Sequence, residues 1–267
     1  MLKAFRALCR LYAVLTHVLG GLRTLRRDFP GMQPAQQQLA VQQWSHNMLR
    51  HMGVELHVMG SVPKGGPMLL VANHISWLDI LVINAVRPAR FVSKSDVKHW
   101  PVLGALITAA GTLYIERESR RDAMRVVHHM ADSLRQGDVV AVFPEGTTGS
   151  GQVLLPFHAN LLQAAISTDS PVKPVALAYL DAATGRPSAA PVYVGDTTLV
   201  ASIWRTLSAS GVQARVTFGL KERSEGRDRR MWAAHLRADI QTLLDGGVPS
   251  EDTRPASLEQ LDITVGH

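Results

Sequence analysis

The sequence predicts an α/β fold: a mixed, mostly parallel sheet flanked by helices, with an N-terminal amphipathic, membrane-associating helical segment. Three observations lead there. Short apolar runs alternate with helical patterns along the chain, the order of strands covered by helices. Two of these runs, Met68-Leu69-Leu70-Val71-Ala72 and Val139-Val140-Ala141-Val142, are apolar at every position, as strands buried on both faces are. Six cations and no acid precede Asp28, set in an otherwise apolar helical pattern.

Residues 2–22 read as a helix. Lys3, Arg6, Arg10 and His17 share one stripe, and Leu2, Phe5, Leu8, Leu11, Leu15, Val18 and Leu22 cover most of the remainder. Lys3, Arg6, Arg10, Arg23, Arg26 and Arg27 together equal the net charge of +6, so the basic excess sits at this end. Such a cluster favours an anionic surface, either phospholipid or nucleic acid. A basic stripe on an apolar helix describes one lying in a membrane interface. The alternatives are a signal peptide and a core helix with a solvated basic face. The cations recur within the segment and no clean small-residue cleavage site follows, which disfavours the former. No uninterrupted apolar run reaches the roughly 18–20 residues of a membrane span.

Asp28-Phe29-Pro30-Gly31 is a turn. A Gln-rich stretch, 33–43, leads into a second helix at 44–52, which Gly53 ends. Val54, Leu56 and Val58 alternate with polar or exposed positions, as in a half-exposed strand. The buried run 68–72 follows a loop, and 78–86 is helical. Residues 90–93 form a short strand, 96–110 an apolar helix with Pro101 and Gly104 inside it, and 112–115 another strand. Ser119 caps a helix that runs to Gln136 and stops at Gly137. Strand 138–143, helix 157–168 and strand 172–179 come next. Strands at 192–194 and 212–218 flank a helix over 197–210. The last helix, 227–244, puts Trp232, Leu236, Ile240 and Leu243 on one face. The division is a membrane-associating segment at 1–52, a domain at 53–246 and a flexible tail at 247–267. At 267 residues and 29.1 kDa the chain can bury a full core. The single cysteine, Cys9, excludes an intrachain disulfide and fits a reducing compartment, and no Cys/His cluster has zinc spacing.

In open α/β sheets ligands bind beyond the strand ends. Asn73-His74, Glu116-Arg117 and Pro144-Glu145 each stand just past a buried strand. His74 and Asp79 are five residues apart, so they do not stack on one helix face. His74 belongs in the loop after the strand and Asp79 in the first turn of the next helix. Asp79 can hold one imidazole nitrogen and leave the other as a base near neutral pH. The chain offers no nucleophile: there is no Gly-x-Ser-x-Gly elbow, and Cys9 is in the wrong place. The hydroxyl to be activated therefore belongs to a substrate. Gly146 permits a tight turn whose amides could cradle an anion, and Glu145 could bind a substrate hydroxyl or a cation. Lys94 and Arg117, each following a strand, could meet a phosphate. Arg120, Arg121 and Arg125 read as a solvated helix face, and His128 and His129 as surface or structural residues.

Taken together, these segments resemble the glycerolipid acyltransferase family. Asn73-His74-Ile75-Ser76-Trp77-Leu78-Asp79 is similar to its His-x4-Asp block. Gly111 to Arg117 is similar to its Gly-x-x-x-Ile-x-Arg block, Phe143-Pro144-Glu145-Gly146-Thr147 to its Phe-Pro-Glu-Gly-Thr block, and Val172-Lys173-Pro174-Val175 to its Pro-containing strand. The resemblance implies transfer of an acyl chain from acyl-CoA or acyl-carrier protein to the hydroxyl of a lysolipid at the cytoplasmic face of a bacterial inner membrane. His74 would be the base and Asp79 its orienting partner. Asn73, Lys94, Arg117, Glu145, Gly146 and Thr147 would bind substrate, with backbone amides near Gly146 as candidate oxyanion donors and no metal or organic cofactor. Lysophosphatidate is the commonest acceptor in the family. Members acting on it typically carry Arg where this chain has Thr148, and the Gly-Thr-Thr-Gly turn followed by Leu155-Pro156-Phe157 is similar to members that acylate lyso-ornithine lipid. Two readings of other classes stand beside this one. A non-catalytic lipid-binding protein would not need an intact His/Asp pair. A nucleic-acid binder would interleave its cations with stacking aromatics, which this chain does not.

Overall fold

A computed structural model describes residues 2–99, 103–115 and 120–247. Seven strands form one sheet in the order β1-β7-β6-β2-β5-β3-β4. They are β1 (Val54–Met59), β2 (Met68–Ala72), β3 (Arg90–Lys94), β4 (Leu113–Ile115), β5 (Val139–Val142), β6 (Val172–Asp181) and β7 (Val212–Phe218). Every neighbouring pair is parallel except β6 and β7. The sheet is therefore mixed and mostly parallel, as the alternating pattern predicts.

The two apolar runs lie at its centre. β2 pairs with β5 on one side and β6 on the other, and all five of its residues are buried. Alternate side chains point to opposite faces. Met68, Leu70 and Ala72 pack with Leu49 and Met52 of α2 (Pro34–Met52) and with Leu78 and Val82 of α3 (Leu78–Val86). Leu69 and Val71 pack with Met130 and Leu134 of α5 (Arg120–Arg135) and with Trp232, Leu236 and Ile240 of α8 (Arg229–Leu244). Helices thus cover both faces, which is why the central strands carry no polar alternation.

Several elements differ from the sequence expectation. The Gln-rich stretch is the start of α2. Pro34 occupies its first turn, and the Gln33 backbone N–H donates to Gln36 Oε1 at 2.8 Å within a capping box. The helix expected over 96–110 is a 3-10 turn, Ser95–His99, followed by α4 (Leu103–Ala109); Pro101 lies outside the described residues. The helix expected over 157–168 is likewise a 3-10 turn, Ala159–Leu162, then α6 (Gln163–Ser167). Residues 192–194 form no strand. Ser119 and residues 248–267, including the expected tail, lie outside the described residues.

The first helix, α1 (Leu2–Arg27), is longer than predicted and differently oriented. It packs on α2 and on α7 (Leu199–Ser208). Its basic stripe does not face outward as a unit. Arg6 donates to the Ala209 carbonyl at 3.1 Å. Arg10 donates to the carbonyls of Leu207 and Ala209 at 3.0 and 2.8 Å. His17 Nε2 donates to the Trp44 carbonyl at 2.9 Å. These carbonyls at the end of α7 lack helical partners, so the guanidinium groups satisfy them. Phe5, Leu8, Tyr12, Leu15 and Leu19 point outward instead. No helix among the described residues is long and apolar enough to cross a membrane.

Candidate active site

β2 ends where its chemistry begins. Asn73 is fully buried, and its side chain continues the ladder toward β6: Nδ2 donates to the Leu177 carbonyl at 3.0 Å, and Oδ1 accepts from the Leu177 N–H at 2.7 Å. Both ends of the amide are engaged with backbone. Asn73, expected to bind substrate, thus fixes the point from which the next residue departs.

That residue is His74. Its Nδ1 lies 2.7 Å from Asp79 Oδ2. Asp79 sits in the first turn of α3, fully buried, and reaches back over the loop. The same Oδ2 accepts the N–H groups of Ile75 at 2.7 Å and Ser76 at 2.9 Å. Oδ1 accepts the Tyr179 hydroxyl, from β6, at 2.7 Å. Four donors converge on this one carboxylate and fix its orientation. An acceptor at Nδ1 places the imidazole proton there and leaves the Nε2 lone pair available. No hydrogen bond to Nε2 occurs among the described residues, and the ring is 19 % exposed. The ring stacks on Phe143 at 4.1 Å and 10°. Burial, then the neighbouring Asp79, pushes the Tyr179 phenol well above its ordinary value, so it remains a donor.

The loop after β5 closes the other side. Glu145 Oε1 accepts the His74 N–H at 2.7 Å, and Oε2 accepts the Leu155 N–H at 2.8 Å. The carboxylate is buried and its two oxygens tie two loops together. Burial raises its pKa, opposed by the two N–H groups. Gly146 adopts φ 70°, and a Cβ there would stand 2.9 Å from the His158 ring. Its N–H closes a turn on the Phe143 carbonyl at 3.1 Å, and the Gly149 N–H donates to the His74 carbonyl at 2.7 Å. Those two amides are therefore engaged within the loops. Thr147 is exposed beside them. Thr148 donates its hydroxyl to the Tyr193 carbonyl.

Segment 191–194 forms the third wall. Ser76 Oγ donates to the Pro191 carbonyl at 2.6 Å, and the Tyr193 N–H donates to the Ile75 carbonyl at 3.1 Å. Its backbone groups bond to the dyad loop, which is why it joins no sheet. Lys94 ends β3, and β2, β5, β3 and β4 run in one direction, so position 94 lies on the same sheet edge as His74. Arg117 lies outside the described residues. His128 and His129 are exposed on α5, and Arg125 pairs with Asp122 at 3.4 Å. Sequence reasoning missed Tyr179. The available signal was one hydroxyl-bearing aromatic in the otherwise apolar run 175–180.

The acyltransferase family pattern matches residues 53–178. The chain is 38 % identical over 241 residues to a 1-acyl-sn-glycerol-3-phosphate acyltransferase of Neisseria meningitidis, covering 90 % of this chain and 92 % of the relative. It is 34 % identical over 236 residues to a lyso-ornithine lipid O-acyltransferase of Pseudomonas aeruginosa, covering 88 % and 90 %. The crystal structure of the 1-acyl-sn-glycerophosphate acyltransferase PlsC from Thermotoga maritima superposes with a TM-score of 0.64 at 18 % identity, covering 90 % and 95 %. That likeness shows the fold, with helices on both sides of a mixed sheet. Long-range identity to relatives of both acceptor types, carried on this fold, shows that the chain belongs to the glycerolipid acyltransferase family.

Proposed function

We propose that this acyltransferase moves a fatty acyl chain from a thioester, acyl-CoA or acyl-carrier protein, to the free hydroxyl of a membrane lysolipid, with His74 as general base. The observation that carries the proposal is the His74 Nδ1–Asp79 contact of 2.7 Å, which leaves Nε2 as the free ring nitrogen of a partly exposed side chain. Nε2 takes the acceptor's hydroxyl proton as its oxygen attacks the thioester carbonyl carbon. The tetrahedral oxyanion collapses, the C–S bond breaks, and the imidazolium returns the proton to the departing thiolate. Asp79 holds the tautomer and stabilises the imidazolium between these steps. The scheme calls for no enzyme nucleophile, metal or organic cofactor. Lys94 and Arg117 are the cations proposed to meet an anionic acceptor.

Lysophosphatidate is the first acceptor on this reading, in line with the Neisseria relative. The Thr148–Tyr193 contact favours a second, lyso-ornithine lipid, in line with the Pseudomonas relative. A neutral loop lock stands where a phosphate-binding cation would be useful. The outward apolar row of α1, flanked by the exposed Lys3, Arg23, Arg26 and Arg27, supports peripheral attachment to the cytoplasmic face of a bacterial inner membrane.

The test is a purified assay with labelled acyl donor and both lysolipids offered side by side. His74→Ala should abolish transfer with the fold intact; normal turnover by that variant would overturn the base assignment. Labelled phosphatidate alone supports the first acceptor, and labelled ornithine lipid alone the second.

A further inference from the structure

α7 exposes large apolar side chains beside a buried face that is partly polar. Its inward face carries Leu207, Ser202 and Thr206, all fully buried, with Ile203 packed against the core. Ser202 Oγ accepts the Trp77 indole N–H at 3.1 Å, and Thr206 Oγ1 donates to the Ser202 carbonyl at 2.9 Å. Its outward face carries Val200, 77 % exposed, and Trp204, 42 % exposed, one turn apart. A water-facing helix of a globular protein keeps its exposed face polar. Isolated exposed apolar residues are ordinary, but these two stand one turn apart on a helix whose buried face also holds two hydroxyls.

α1 also exposes an apolar row, although Ala7, Leu11, Val14 and Val18 pack inward on the core. Arg6, Arg10 and His17 bond inward, while Tyr12, 72 % exposed, and its apolar row face out. The two helices pack together, and Arg6 and Arg10 bridge them through the last carbonyls of α7. Neither helix contains a carboxylate, and exposed cations stand at both ends of α1. Two adjoining helices with exposed apolar residues and this charge fit an apolar medium edged by anions, and Trp is favoured where such a medium meets water.

We propose that α7, through Val200 and Trp204, is a second contact with an anionic bilayer surface and sets the mouth of the active site against it. The proposal rests on the reading that the acceptor is a membrane lysolipid. The link to the site is short. Segment 191–194, which bonds to the dyad loop, leads through the short connection 195–198 into α7, and Trp77 of that loop bonds to Ser202 within it. Seating α7 on the bilayer therefore holds the His74 loop near the plane where a lysolipid presents its hydroxyl.

The test compares wild type, V200Q/W204Q and the α1 variant L8Q/L15Q on vesicles of phosphatidylethanolamine and phosphatidylglycerol. It also measures transfer to a vesicle-embedded long-chain lysolipid and to a short-chain, water-soluble one. V200Q/W204Q should weaken vesicle partition by at least about fivefold and slow transfer to the embedded acceptor, with the soluble acceptor turned over at the wild-type rate. If V200Q/W204Q partitions like wild type while L8Q/L15Q is released, the α7 contact is overturned and the α1 reading stands. If neither variant is released, both fall. Loss of activity on the soluble acceptor would assign the α7 face to the integrity of the site instead. A wild-type dimer in solution that V200Q/W204Q splits would assign it to a second copy of the chain. Either result overturns the proposal.

Discussion

Replacing Tyr179 with Phe removes one oxygen from the core and tests how the dyad is held. The hydroxyl gives Asp79 Oδ1 its hydrogen bond at 2.7 Å, and the three remaining donors converge on Oδ2. Asp79 is fully buried, so solvent does not readily replace the lost donor. A hydrogen bond to a charged group contributes about 1.5–3 kcal/mol, so the thermal midpoint should fall by roughly 3–12 °C. The carboxylate is then free to rotate about an axis that Tyr179 had fixed, and His74 turns with it. A misalignment worth about 1.4 kcal/mol in the transition state lowers kcat tenfold. The assay is kcat and KM for acyl transfer, well below the melting range, beside Leu236→Val. Leu236 is buried on α8 on the other face of the sheet, and its variant provides a stability loss without touching the dyad. Tyr179→Phe should lose kcat with little change in KM, while Leu236→Val should keep both. Wild-type kcat in Tyr179→Phe, or an equal loss in Leu236→Val, would refute the reasoning.

Asp79→Asn should lower kcat by about 10³–10⁴, because an amide no longer dictates the proton on Nδ1; steady-state rates measure it. Glu145→Gln should leave one of the N–H groups of His74 and Leu155 facing an NH₂ group, slowing transfer and increasing proteolytic cleavage in 146–155. Gly21→Ala would put a Cβ 2.4 Å from the Trp44 ring. The resulting overpacking should cost about 1–3 kcal/mol, read from chemical denaturation. His17 and His46 have pKa values lowered mainly by burial, with His51 facing the first and Arg50 the second. The unfolded chain therefore binds more protons below the ordinary value near 6.5. Stability present at neutral pH should be lost as pH falls from 6.5 through the lowered folded values. His17→Phe should flatten that slope in thermal melts, and an unchanged slope would exclude His17 as a source.

Periodicity and burial made the centre of the fold legible. β2 and β5 are apolar at every position because helices cover both faces, and the dyad follows β2 directly, so its placement came with the strand. The start of α2 was hidden because glutamines carry no apolar rhythm; only Pro34 and the Gln33/Gln36 pair mark it. α1 was legible as amphipathic but not in its orientation. Which stripe faces the protein depends on the unpaired carbonyls of Leu207 and Ala209, nearly two hundred residues away. The same limit applies to Asn73 and Glu145. Residue type shows that each can make two hydrogen bonds, and only the folded chain shows that backbone groups take them.

Those backbone partners explain how a site without a nucleophile can be built. The dyad loop is bonded by Glu145 and Gly149 from the β5 side, by Tyr193 and Pro191 from the segment before α7, and by Asp79 from α3. Each bond uses a buried or half-buried donor or acceptor that would otherwise be unsatisfied, so loosening one exposes a cost at another. Such a frame fixes the imidazole through Nδ1 and leaves Nε2 outside the bonding of the frame. Catalysis by a fixed base on a substrate hydroxyl requires that geometry and little else from the protein, because positioning supplies much of the acceleration. It follows that changes in acceptor preference should map to Thr147, Thr148 and the proposed acceptor-binding cations Lys94 and Arg117, while changes in rate with every acceptor should map to the frame. A substitution at position 148 that altered turnover equally for both lysolipids would place that residue in the frame instead.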